Sequence, residues 1–147
     1  MPASAVPASV VLFRALLIAS VATGVAGSFL DLAFPALIPE SMAKAFEALP
    51  PPSSLALFGA GVLVLITAGG IVTTVVGLYL FQPWSRTLAI WMTALGLLFN
   101  PLFGISMQSG WAQLLLDVSS VLWGAVLAMS YVSSLSSRFA ARENADF

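Results

Sequence analysis

The 147-residue chain is 60% hydrophobic and 7% charged, with five basic and six acidic residues and a net charge of −1. With a mean hydropathy of +1.04, it has too little polar surface to coat a water-soluble globule of its size. The lack of a basic patch excludes nucleic-acid binding by phosphate neutralisation. The lack of cysteine and histidine excludes disulfides, His- or Cys-ligated haem and His- or Cys-based zinc sites.

Four apolar runs reach the roughly 20 residues that a helix needs to cross a hydrocarbon layer of about 30 Å. The first covers about 10–30 and is interrupted only by Arg14, whose long stem lets its guanidinium reach the head groups. Val25-Ala26-Gly27 has the small residues of a signal-peptide cleavage site. No basic segment precedes the run, so an uncleaved first span is expected.

The outer loop, 31–54, has structure of its own. Pro39 opens a short helix and Pro50-Pro51-Pro52 ends it. Met42, Ala45, Phe46 and Leu49 fall on one face of that helix, with Glu40, Lys44 and Glu47 largely elsewhere. This pattern predicts an amphipathic helix in the outer interface; the competing reading is a lid over the bundle or a docking surface for another protein.

The second run, 55–81, carries no charge. Pro83 stops it, and the short turn 82–86 leads into the third run, 87–107; the fourth covers 111–132. Helices are the only sensible assignment, because four segments cannot close a barrel and open strands would leave backbone groups unpaired in lipid. If the helices alternate, Arg14, Arg86, Arg138 and Arg142 share one side, while Lys44 alone takes the other, between Glu40 and Glu47. The positive-inside rule then places both termini and the 82–86 turn in the cytoplasm. Tyr79, Phe81, Trp84 and Tyr131 mark the inner boundary and Trp111 the outer one. Trp123, halfway along its run, is expected to pack against a neighbour.

Arg14-x-Leu16-x-Ile18-x-x-x-Ala22-x-Gly24 matches Arg86-x-Leu88-x-Ile90-x-x-x-Ala94-x-Gly96, as two parallel copies of one hairpin would. Small residues recur at four-residue spacing: Ser20, Gly24 and Ser28; Gly69, Thr73 and Gly77; Gly96, Asn100 and Gly104; Ser120, Gly124 and Ala128. Such stripes let helix backbones approach closely in lipid, and Gly24, Gly77, Gly96 and Gly124 are the expected contact points.

Asp117 is the one charge deep within a span. It shares a helical face with Gln113, Ser120 and Gly124, and that face is expected to point inward. Asn100 lies at a similar depth, so Asp117, Asn100, Gln113 and Ser28 are expected to form a polar cluster in the outer half of the membrane. One reading makes Asp117 a protonatable relay or cation site. The other makes it hydrogen-bonded glue between helices, and this is favoured because no second ionisable group lies in the membrane core.

The chain offers no nucleophile beside a base, no pair of close carboxylates and no phosphate-cradling loop. Asp31, Glu40 and Glu47 match no metal-binding loop. No enzyme activity, cofactor or metal is expected.

The stretch Gly77-Leu78-Tyr79-Leu80-Phe81-Gln82-Pro83-Trp84-Ser85-Arg86 and the later Leu122-Trp123-Gly124-Ala125 resemble those of small uncharacterised four-span bacterial inner-membrane proteins. The resemblance covers about half the chain. It implies a bacterial inner-membrane setting and no mechanism.

The expected fold is all-α: one integral membrane domain, 1–147, built as a four-transmembrane-helix up-down bundle with a short outer interfacial helix. The leading expectation for function is a non-enzymatic accessory or interaction subunit, whose partners are the lipid bilayer and a membrane protein or a second copy of the chain. The alternatives are a small transporter or oligomeric channel component using Asp117, and an immunity-type protein against a membrane-active toxin.

Overall fold

The structure is a computed structural model that describes residues 7–51, 53–99, 108–132 and 134–143. It is all-helical, with no strand among those residues. In chain order the elements are α1 (Ala8–Ala33), a 3-10 turn (Pro35–Leu37), α2 (Glu40–Glu47), α3 (Ser54–Tyr79), α4 (Pro83–Phe99), α5 (Gly110–Val132) and α6 (Ser136–Glu143). α1, the Leu57–Tyr79 part of α3, and α5 are each long and apolar enough to cross a membrane. α4 has 17 described residues, about 25 Å of helix at 1.5 Å per residue. The rest of the third run, 100–107, lies outside the described residues.

Local chemistry sets most of the boundaries. α1 stops before Pro35, which cannot continue the ladder. The Pro39 carbonyl accepts the amides of Met42 and Ala43 at 3.0 and 3.1 Å and so opens α2. α3 ends in a Schellman turn: the Gln82 N–H donates to the Gly77 carbonyl at 2.8 Å, and the Phe81 N–H donates to Leu78 at 3.1 Å. Phe81 occupies the left-handed position of that turn, φ 57°, where glycine is usual. Pro83 follows as the first residue of α4, a place where its missing N–H costs nothing. Helix ending and helix start are therefore separate devices, and the proline serves the start.

α1 packs along α5, and α3 packs against α4. The first contact depends on small residues, because a β-carbon at Gly27 would lie 3.1 Å from the Ala112 carbonyl. Ser20 and Ser119 exchange hydroxyl-to-carbonyl bonds across it, at 3.1 and 2.8 Å. In the second contact, Gly70 faces Met92, and Gly77 faces Ser85 and Trp84.

The two pairs meet at one end, where α1 begins, α3 turns into α4, and α5 passes into α6. There Val10, Phe13, Leu17, Leu78, Phe81, Ala89, Val126, Leu135 and Phe139 form the buried core. Phe13, Phe81 and Phe139 sit at its centre, with ring centroids 5.2 to 6.3 Å apart. Toward the other end the packing thins, and α3 has no buried residue among those described between Leu55 and Val72. In their most apolar stretches only 28% of the α1 residues and 11% of the α5 residues are buried. Apolar surface on this scale needs lipid or another protein as its solvent.

Candidate functional site

α5 carries the polar residues singled out in the sequence, and its rotation decides what they meet. Ala112, Val126 and Ser130 are buried, and Ser119 faces α1. Asp117 precedes Ser119 by two residues, about 200° around a helix of 3.6 residues per turn. It lies on the opposite side and is exposed, as are Gln113, Ser120, Gly124 and Ala128. The sequence-based expectation of an inward-facing Asp117 therefore differs from the structure. The physical reason is that α1 takes the side where Ala112 and Ser119 admit Gly27 and Gly24.

On the exposed face the Gln113 Nε2–H donates to Asp117 Oδ1 at 2.9 Å, one helical turn apart. Ser28 does not join them. It is exposed, and its hydroxyl donates to the Gly24 carbonyl of its own helix at 2.9 Å. Asn100 lies outside the described residues. The four residues of the expected cluster thus reduce, among those described, to one pair.

The four glycines divide evenly. A β-carbon at Gly24 would lie 2.8 Å from Ser119 Oγ, and one at Gly77 would lie 2.6 Å from Ser85 Cβ, so both are at close approaches. A β-carbon at Gly96 or Gly124 would meet nothing within 4 Å outside its own helix among the described residues. Gly124 therefore leaves a bare patch of helix backbone on the same face as Asp117.

Sequence reasoning missed Gly27, Gly70 and the Ser20–Ser119 exchange. Their signal was present as further small residues on the same helices, but rival stripes give no ranking. Trp123 does pack against a neighbour, donating its indole N–H to Thr93 Oγ1 of α4 at 2.9 Å. Asp31, at the end of α1, accepts the Ser109 N–H on Oδ2 at 2.7 Å, and Ser109 Oγ accepts the Ala112 N–H at 3.2 Å. Together they close the end of α1 onto the start of α5. Glu40 pairs with Lys44 at 3.6 Å on the exposed α2.

No protein-family model, curated protein or solved structure matches the chain.

Proposed function

We propose that this protein is a non-enzymatic subunit of a bacterial inner-membrane assembly. In this reading it crosses the bilayer four times with both termini in the cytoplasm, and it packs laterally against a membrane partner through the uncovered face of α5. The single observation that carries the reading is the position of the Gln113–Asp117 pair on a side of a span that the described residues leave bare.

Asp117 lies seven residues past the start of α5, about 10 Å along the helix. An aspartate in a span costs about 2.5–3.5 kcal/mol at the bilayer centre and less toward the interface. Acyl chains offer its oxygens no donor, whereas a neighbouring helix does. Gly124, with open space over its α-carbon, supports close approach by that helix. Composition supports it as well: α5 is the least apolar of the three long spans.

The test is extraction in mild detergent followed by sizing and identification of whatever co-migrates. Gly124→Leu is expected to leave the monomer's thermal stability unchanged and abolish association. Asp117→Leu is expected to weaken association about tenfold or more, while Asp117→Asn, which keeps hydrogen-bonding capacity, changes it little. A protein that remains monomeric at every concentration and captures no membrane protein overturns the proposal. So does proton or ion flux in liposomes that Asp117→Asn abolishes, because the acid would then act by titration.

A further inference from the structure

At the α6 end of the molecule two arginines are held in the same way. The Arg14 guanidinium carbon lies 4.4 Å from the Tyr79 ring centroid and 5.6 Å from that of Phe81. The Arg86 carbon lies 5.3 Å from the Tyr131 ring and 4.9 Å from that of Phe139. Arg14 and Arg86 are the matching members of the internal repeat, and Tyr79 and Tyr131 lie near the ends of α3 and α5. Helix pairing follows the same rule, since each half's first helix lies on the other half's second: α1 on α5, and α4 on α3. A duplicated hairpin accounts for both regularities.

Among the described side chains each station lacks an anionic partner. Among the described residues the ion pair is Lys44–Glu40, and neither Arg14 nor Arg86 reaches a carboxylate. Of the acidic residues, Asp31 and Asp117 belong to the far half, near the start of α5, and Glu40 and Glu47 to the loop beyond it; the side chains of Glu143 and Asp146 lie outside those described. Among the described residues Arg14 makes a long hydrogen bond, from Nη2 to the Tyr79 carbonyl at 3.4 Å. Its Nε–H is buried with no acceptor. Contact with aromatic rings steadies a guanidinium and leaves N–H donors along its edge. That fork matches the oxygens of a phosphate, to which arginine binds with two parallel bonds. Trp84, exposed beside this end, marks the depth at which head groups lie.

We propose that Arg14 with Tyr79, and Arg86 with Tyr131, form two equivalent sites for the phosphodiester of an anionic phospholipid headgroup. Cationic pockets between spans recognise such lipids by this chemistry. A zwitterionic lipid has the same phosphodiester but carries its own cation beside it, so the sites discriminate against it. The proposal rests on the membrane-spanning reading of the helices and is independent of the partner face on α5.

The experiment is native mass spectrometry of the full chain from micelles doped with phosphatidylglycerol, with phosphatidylcholine, or with inorganic phosphate alone. The wild-type protein is expected to retain two phosphatidylglycerol molecules, with phosphatidylcholine, whose own cation sits beside the phosphodiester, retained at least about tenfold less. Arg14→Gln and Arg86→Gln each lose one lipid, the double variant loses both, and Arg138→Gln loses neither. Equal retention of the two lipids by the wild-type protein overturns the proposal without recourse to any variant, as does undiminished binding in the double variant. Saturation by inorganic phosphate, with displacement of the lipid, overturns the assignment to lipid in favour of a soluble phosphate. Recovery of the protein outside the membrane fraction defeats the spanning reading itself.

Discussion

Gly24 of α1 and Ser119 of α5 lie so close that a β-carbon at position 24 would come within 2.8 Å of the serine hydroxyl. That hydroxyl already donates to the Ser20 carbonyl at 2.8 Å. Gly24→Ala is therefore expected to break the Ser20–Ser119 exchange, and Gly24→Leu to force the helices apart at a cost of about 1–3 kcal/mol. The check is thermal unfolding in detergent. Because the clash is with one side chain, adding Ser119→Ala to Gly24→Ala recovers part of the loss, and strict additivity of the two changes would contradict the contact.

Phe81 combines an unfavourable backbone with a buried ring. Its left-handed φ costs about 1–2 kcal/mol for a residue with a β-carbon. Its ring packs 5.4 Å from Phe13 and 5.2 Å from Phe139, and truncating a buried phenylalanine costs about 3–5 kcal/mol. Phe81→Gly fits the turn better and still lowers stability, because the second quantity exceeds the first. A variant that melts higher than the wild-type protein would show that the aromatic cluster contributes little.

Thr93 receives the Trp123 indole proton at 2.9 Å while donating to the Ala89 carbonyl at 2.8 Å. Thr93→Val keeps the shape and removes the acceptor, so the orphaned N–H is expected to cost about 1–3 kcal/mol. In nitrogen-labelled protein the Trp123 indole resonance shifts in Thr93→Val and stays in place in Thr93→Ser. Identical spectra for the two variants would argue against the bond.

Asp31 ties the two chain-distant helices at the end away from the core. The residue is partly buried, with Oδ1 fully so, and the bond to the Ser109 N–H contributes on the order of 1 kcal/mol. Asp31→Ala is expected to speed amide exchange at Ser109 and in the first turn of α5 several-fold, leaving the turn around Phe81 unchanged. Uniform acceleration along the chain would mean that the whole fold, rather than this closure, had been weakened.

Hydropathy and proline placement made much of the architecture readable in advance. The first run was expected over 10–30 and the second over 55–81; α1 covers Ala8–Ala33 and α3 Ser54–Tyr79, while α2 begins just after Pro39 as its sequence implied. α6 went unread, because its hold on the core is Phe139 together with Leu135 just ahead of it, too little to stand out beside four long apolar runs. Which face of each span turns inward was also unreadable. Ser20, Gly24, Gly27 and Ser28 offer α1 several small-residue faces, and choosing among them requires knowing that α5, and not α3, is its main neighbour. The Asp117 face was misplaced for this reason: periodicity states which residues share a side and says nothing of what that side meets.

The Ser20–Ser119 exchange joins positions 99 residues apart, and this has a consequence for biosynthesis. At about 5–20 residues per second, the ribosome needs about 5–20 seconds after making Ser20 to deliver its counterpart. In the proposed membrane topology, the first helix waits throughout that interval in the translocation machinery or the surrounding lipid without the neighbour it is shaped to fit. The molecule closes like a ring whose clasp is threaded last, so a chain interrupted before Gly110 leaves its first segment available to other nascent proteins.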